Sequence, residues 1–527
     1  MELKHISEIE KATRKGRAEL VRLGIGLMFV VGVMLYAAMN GEGHGGIMLV
    51  IAAMLAAYMA MNIGANDVAN NVGPAVGSRA LTLAGALTIA AIFEAAGALI
   101  AGGEVVATIR SGIIDPSKIP DTDTFVWVMM AALLGAAFWL NFSNALGAPV
   151  STTHSIVGAV LGAGIAASGV EIANWNSVGA IVASWVISPL MGGVVAAAFL
   201  YLIKRSITYQ PDMVAAATRM VPYLVAFMAW AFVTYVLLTG LRHVLTVSFI
   251  VAALAGLACA VTALVSVRLL LARRVHLIAN TKRSVNELFT APLIFAAALL
   301  SFAHGSNDVA NAVGPLAAIL DVLSTETAEI SRTAPVPLWV MMVGALGLSV
   351  GLTLFGATVI RTVGSEITEL DQMRAYCIAM STTVTVIIAS QFGLPVSSTH
   401  IAVGGVFGVG FLREYLKSNY ARMVADIKAH HPAGDQEAID AFLDRFARAS
   451  IDVKGEMLAD LKLRSKQRLD PANFSKTDRK NLRNIYRHEL VKRSQLLRVG
   501  AAWVITVPAS ALMAAILFYM MRGMMLD

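Results

Sequence analysis

Charge is what this chain has little of. Only 14% of its 527 residues are Asp, Glu, Lys or Arg, while 57% are hydrophobic. A soluble protein of that length has too little interior to hide so much apolar surface, which excludes water as the main solvent and leaves lipid. Cysteine is scarce as well. Cys259 and Cys377 both sit in apolar stretches, which excludes a disulfide framework and suggests no metal site. A signal-peptide pattern is also lacking. Residues 1–20 are polar, so the first apolar segment (21–40) is expected to remain as a span.

Long apolar runs, by contrast, recur along nearly the whole chain. About 20 such residues cross a bilayer core as a helix. In lipid each backbone polar group is paired internally, so runs of this length mean helices and not strands. They read as 21–40, 47–78, 82–103, 125–143, 149–168, 177–203, 220–240, 245–271, 286–320, 337–360, 373–391, 396–415 and 499–521. The predicted fold is an all-α polytopic membrane protein with about 11–13 crossings. Segments 47–78 and 286–320 are too long for simple spans at roughly 1.5 Å per residue. Each holds a Gly-Ala-Asn-Asp or Gly-Ser-Asn-Asp sequence near its middle, and both are expected to be broken or re-entrant helices.

The formal net charge is +7, and residues 412–498 carry 19 Lys/Arg against 12 Asp/Glu, so this one segment supplies the whole excess. Such an excess argues for a cytoplasmic face over nucleic-acid binding. Lys4, Lys11, Arg14, Lys15, Arg17, Lys204, Arg205 and the run from Arg268 to Arg283 read as cytoplasmic by the same rule. The expected setting is the plasma (inner) membrane, with the N-terminus and a charged insertion at 416–497 inside. Helical spacing of Ile439, Phe442, Leu443 and Phe446 makes that insertion a small helical unit. Arg110 and Arg361 read as interfacial anchors whose heads snorkel to the lipid headgroups.

Two motifs repeat in the same order. NIGANDVANNVGPAVG (62–77) matches AHGSNDVANAVGPLAA (303–318) at an offset of 241, and GAPVSTTHSIVGAVLGAG (147–164) matches GLPVSSTHIAVGGVFGVG (393–410) at 246. That is internal duplication. The expected orientation brings the leading helix of the first copy in from outside and that of the second from inside. The repeats are therefore inverted, with a site near the midplane between them. Along the chain this gives 1–44 as tail and extra span, 45–205 as repeat 1 and 206–284 as connecting spans. Residues 285–415 are repeat 2, 416–497 the insertion and 498–527 a last span.

Asp67 and Asp308 are the most informative residues. A carboxylate at mid-helix depth in lipid costs about 2.5–3.5 kcal/mol on insertion scales and is usually functional. Capping the half-helix that follows is the simpler account. It does not explain why both copies keep Asn66/Asn307 and Asn70/Asn311, which share a helical face. Oxygen ligands of this kind suit Na⁺ or another hard cation. Glu94 lies in the apolar run IFEAAG with no carboxylate counterpart in LGLSVGLTLFG (346–356), and reads as a ligand to a further cation or the lining of a wet cavity. Gln391 is a candidate neutral oxygen ligand whose counterpart, Ala145, cannot serve.

In the second motif, proline stops the incoming chain and hydroxyl residues open a new helix. Open N–H groups and the positive helix end attract anions, and Ser151, Thr152, Thr153, Ser397, Ser398 and Thr399 add donors. Two such ends facing each other would grip a tetrahedral oxyanion; ordinary N-capping is the competing account. His154 and His400 read as anion donors, proton carriers or structural residues alike. A carboxylate pair repels an oxyanion, and cations bound at Asp67 and Asp308 would reverse that field. Such order of binding is what symport requires.

GANDVANNVGPAVGSRALT (64–82), IFEAAG (92–97), TIRSGIID (108–115), GSNDVANAVGP (305–315) and the two PVS(T/S)TH stretches together resemble the PiT family of inorganic phosphate transporters. The resemblance covers most of 45–415 and the last span. It implies symport of inorganic phosphate with Na⁺ or H⁺, an inverted-repeat fold, and re-entrant segments whose matching Asn, Asp, Ser and Thr hold cation and phosphate. The GANDVAN form looks more like the Na⁺-coupled branch than the H⁺-coupled branch that carries metal–phosphate. The extra N-terminal span, the late insertion and Ser398 in place of threonine depart from the pattern. A sulfate permease, a passive anion channel and a membrane sensor are the alternatives. Enzymatic activity is not expected, because the Ser and His lie in helix starts without a third triad member. No cofactor is expected beyond the coupling ion. The expected partners are inorganic phosphate, Na⁺ or H⁺ and the lipid bilayer, with a homo-oligomer left open.

Overall fold

The structure is a computed structural model. It describes residues 2–40, 45–145, 150–240, 247–274, 278–325, 336–364, 370–429 and 494–524, with 445 and 457 besides. The helices are α1 (Glu2–Asn40), α2 (Gly45–Gly77), α3 (Leu83–Ala101), α4 (Gly103–Ser111), α5 (Thr122–Ala145), α6 (Thr152–Ser168), α7 (Trp175–Ile203) and α8 (Met213–Tyr235). They continue as α9 (Phe249–Arg274), α10 (Lys282–Glu287), α11 (Thr290–Asp308), α12 (Ala310–Thr325), α13 (Leu338–Gly364), α14 (Gln372–Gln391), α15 (Ser398–Ala429) and α16 (Ser494–Met524). Eleven helical stretches among the described residues are long and apolar enough to cross a membrane. Beyond a single bridge between Ile114 and Ala173, no β-structure occurs among them.

Small residues let these helices meet backbone to backbone. A side-chain carbon at Gly64 would collide with the Leu348 carbonyl, and one at Gly305 with the Glu94 carbonyl. Gly351 meets Met61, and Gly97 meets Phe302, in the same way. Gly64 and Gly305 stand 241 residues apart, as do Met61 and Phe302, which is the offset of the Asn-Asp motif. Thus α3 crosses α11 as α13 crosses α2, each repeat's second helix packing on the other repeat's first.

A third repeated crossing identifies the last span. Gly404 and Gly408 of α15 press on the carbonyls of Pro189 and Gly193 in α7, while Gly158 and Gly162 of α6 press on those of Val507 and Ala511 in α16. The two partners share a local pattern, WVIS (185–188) and WVIT (503–506). Read from the sequence, 498–527 stands apart. In the fold it closes the second repeat as the counterpart of α7, displaced along the chain by the insertion. Of that insertion, α15 reaches Ala429 and α16 begins at Ser494; apart from residues 445 and 457, the rest of 416–497 lies outside the described residues.

The two Asn-Asp helices differ from expectation and from each other. α2 runs unbroken through its motif, whereas in the second copy α11 and α12 meet at Val309, whose backbone stays helical and whose N–H donates to Gly305 O at 3.3 Å. Gly64 is no hinge, because the Leu348 carbonyl occupies the space its side chain would take. A subtler break is shared: Pro74 and Pro315 lie inside their helices, four residues after Asn70 and Asn311. Proline has no N–H, so both Asn carbonyls lose the donor a helix would supply.

The pairs 125–143/149–168 and 373–391/396–415 are the limbs of two hairpins, α5–α6 and α14–α15. At 17 residues, α6 reaches only about 26 Å. The base of the first hairpin lies beside the start of α7, where Asp115 N donates to Ile172 O and Asn174 N to Ile113 O. The base of the second lies at the far end of α7, where Thr208 meets Met373 and Met373 N donates to Asn286. The hairpins therefore enter from opposite faces, as inverted repeats require.

Candidate functional site

Both Asn-Asp motifs and both hairpin tips converge in the buried centre. Asp67 is fully buried. Its Oδ1 accepts from Asn66 at 2.9 Å, Asn70 at 3.3 Å and Thr399 at 2.9 Å, and its Oδ2 accepts from Thr152 at 2.9 Å. One carboxylate thus takes hydroxyls from both hairpins. Asp308 is also buried, but its hydroxyl contacts are longer: Oδ2 lies 3.4 Å from the Ser398 hydroxyl and 3.5 Å from that of Thr152. Asn66 also donates to Val150 O, and Asn70 to Thr399. Asn311 donates to Thr153, which donates to Val396 O, and Asn307 to Ser390 and Leu394 O.

His304 stands between the carboxylates and was not among the residues expected from sequence. Its Nε2 lies 2.9 Å from Asp308 and 3.5 Å from Asp67, and its Nδ1 lies 3.5 Å from Glu94. Glu94, fully buried, accepts from Asn71 at 2.7 Å. Asp67, His304 and Asp308 each place a ligand atom within 4.8 Å of the others. The signal for His304 lies in the repeat itself. Ile63 occupies its place in the first copy, Ala312 replaces Asn71 in the second, and Leu348 replaces Glu94. The three departures from symmetry belong to one polar group.

The donor set tests whether a cation fits. Asn71 Oδ1, Glu94 Oε2, Asn307 Oδ1, Asp308 Oδ1 and Asn311 Oδ1 are buried, and among the described residues none of them accepts a hydrogen bond. A buried acceptor without a partner costs about 1–3 kcal/mol. Five together, two of them carboxylate oxygens of Glu94 and Asp308, beside the Asp67 carboxylate and the proline-freed carbonyls of Asn70 and Asn311, suit a hard cation.

The hairpin tips supply the opposite character. Thr152 opens α6 and Ser398 opens α15, so the amides of Thr152, Thr153, Ser398 and Thr399 have no intrahelical acceptor. Ser151 and Ser397 act as caps, accepting from the amides of His154 at 3.2 Å and His400 at 3.3 Å. The capping account therefore describes these two serines, while the next hydroxyls reach the carboxylates. His400 stacks on Trp503 and His154 packs tilted against Trp185, each at 3.8 Å, and the imidazoles meet edge to face at 4.3 Å. Both tips thus abut on the pseudo-two-fold axis, and among the described residues no donor or acceptor reaches the four ring nitrogens.

Two expectations are corrected. Gln391 lies outside the cluster: it is exposed at the end of α14, and its amide donates to Thr239 on the turn that follows α8. Arg110 is no interfacial anchor; it is 2% exposed and forms an ion pair with Asp321 of α12. The side chain of Arg361 lies outside the described residues.

Comparison with known proteins adds three findings. A family model described as "Phosphate transporter family" matches residues 63–514. A Helicobacter pylori (strain J99) protein named "Putative phosphate permease" is 49% identical over 524 residues, covering 98% of each chain, and a like-named protein of Chlamydia trachomatis is 39% identical over 391 residues, covering 70% of this chain and 91% of its own. A solved structure titled "The sodium-dependent phosphate transporter" is 29% identical, with a TM-score of 0.73, and spans 91% of this chain and all of its own.

Proposed function

This chain belongs to the phosphate transporter family, and from that premise we propose that it is a secondary symporter that couples phosphate to a cation, with Na⁺ favoured, by alternating access. The observation that carries the reading is the set of five buried, donor-less oxygens interleaved with two helix N-termini. An anion about 5 Å from one carboxylate is repelled by about 3 kcal/mol at an effective dielectric near 20. Three carboxylates make that prohibitive until cations are bound, so the cation precedes or accompanies phosphate. Phosphate is gripped by the amides of the α6 and α15 starts together with the hydroxyls of Thr152, Thr153, Ser398 and Thr399.

Oxygen-rich ligation and the sodium dependence in the structural neighbour's title support Na⁺. His304 within the cluster supports a second reading, in which H⁺ couples instead. A plasma-membrane setting belongs to the same proposal, and the distribution of Lys and Arg supports an orientation with the N-terminus and insertion inside, which turns the α4 side outward. Radiolabelled phosphate uptake into proteoliposomes, with Na⁺ and pH gradients imposed separately, tests the proposal. Uptake driven by the Na⁺ gradient is expected. Uptake indifferent to both gradients would mean a passive pathway and end the symport reading.

A further inference from the structure

As a separate helix, α4 has no counterpart among the described residues of the second repeat. There α13 runs straight from Leu338 to Gly364, whereas the first repeat breaks at Gly102 and sets α4 down as a separate nine-residue helix. α4 is tied to the other repeat at three points. Arg110 pairs with Asp321 of α12. Thr108 donates to the carbonyl of Gly393 at 2.7 Å, four residues before the cap of α15. Ile109 fills the space over Gly314 of α12, where a side-chain carbon would lie 2.6 Å from it. Gly393 has φ of +63°, a conformation that favours glycine, and a side-chain carbon there would sit 3.3 Å from Thr108 and from the Glu104 carbonyl.

Just beyond α4 a polar cavity of about 470 Å³ is lined by Ser111, Asp115, Lys118, Glu171 and Asn174. α4 lies between this cavity and the tip of the second hairpin. The acid of the ion pair is also one-sided, since at the repeat offset the position of Asp321 is held by Ala80.

We propose that α4 is the gate on its own face of the transporter, latched to the second repeat by the Arg110–Asp321 pair and the Thr108–Gly393 hydrogen bond. Opening the site to that face requires α4 to leave α12 and the hairpin tip together. Breaking a charge pair whose arginine is buried is costly, so the pair holds the α4 face closed. The inference rests on the alternating-access reading for its consequence in transport, but its test does not require transport.

The test places a cysteine at Ile109, which is buried against α12, in the full-length protein in proteoliposomes. Its modification by a membrane-impermeant thiol reagent is measured above the background of Cys259 and Cys377. In Arg110→Ala the rate is expected to rise by at least about tenfold from the α4 face alone, and the charge-swapped R110D/D321R pair should bring it back down. Thr108→Val removes one hydrogen bond without touching the charges, and should raise the rate from the same face by a smaller factor. An unchanged rate in Thr108→Val and in folded Arg110→Ala would overturn the proposal. Should Arg110→Ala fail to fold, Thr108→Val alone decides. A raised rate with no gradient-driven uptake would leave the gate standing and remove the symport reading.

Discussion

Replacing Asp308 with asparagine separates cation binding from folding better than the same change at Asp67. Asp67 accepts four hydrogen bonds between 2.9 and 3.3 Å, and an amide there would turn a donor toward donors. One Asp308 oxygen accepts no hydrogen bond; the other meets hydroxyls only at 3.4 and 3.5 Å and His304 Nε2 at 2.9 Å, a contact the amide oxygen of asparagine can keep. Asp308→Asn therefore removes charge while leaving most of the local network intact. A monovalent cation about 4 Å away gains about 4 kcal/mol from a carboxylate at an effective dielectric near 20. Part of that returns, because the ion also loses a desolvated partner. A net loss of about 2–3 kcal/mol corresponds to roughly 30- to 140-fold weaker cation binding. The assay is Na⁺ titration of phosphate uptake in proteoliposomes, with thermal unfolding in detergent as the control. A folded Asp308→Asn protein with unchanged Na⁺ half-saturation would refute the assignment of this carboxylate to the cation.

Gly64→Ala and Gly305→Ala should each lower stability by about 1–3 kcal/mol, since the added carbon meets a backbone carbonyl that cannot swing away; thermal unfolding in detergent reads this directly. Ser151→Ala should cost about 1 kcal/mol of stability through loss of a cap, with little change in the KM for phosphate. A large KM change there would return that serine to the anion site. His304→Gln keeps a polar side chain but removes the imidazole from the carboxylate cluster. The dependence of uptake on pH should flatten while Na⁺ dependence persists; an unaltered pH profile would make His304 a structural neighbour.

Much of the fold was legible because its governing features are local. Apolar runs announce spans, and a motif repeated at a fixed offset announces duplication. The misreadings share a cause, since each concerns a partner that local pattern does not encode. Arg110 resembles a snorkelling anchor until Asp321 arrives from 211 residues away. Gln391, four residues before Pro395, faces Thr239 of the connecting spans and not the site. The glycines beside the two aspartates look like helix breakers and are contact points between crossing helices. His304 could have been found by reading the repeat for its departures, since histidine facing isoleucine, glutamate facing leucine and asparagine facing alanine are all too costly in lipid to be idle.

The two motifs read in sequence as separate halves, one for cation and one for phosphate, yet in the fold they share hydroxyls. Thr152 and Thr399 both donate to Asp67. A threonine hydroxyl carries one proton, so while it serves the carboxylate it cannot serve an anion. Under the proposed symport, a cation drawn to Asp67 satisfies that carboxylate electrostatically and frees both hydroxyls for phosphate. Coupling then comes from reassigned donors as well as from charge. The consequence is measurable, because linkage requires phosphate to raise cation affinity by the factor by which the cation raises phosphate affinity. Thr152→Val and Thr399→Val keep side-chain shape and remove one donor each. Both should shrink that mutual factor, by about 3- to 10-fold per hydroxyl if each bond is worth about 1 kcal/mol. Binding of each ligand at fixed concentrations of the other would report it. Valine variants that weaken phosphate binding equally with and without Na⁺ would show the hydroxyls to be ligands only, with coupling left to charge alone.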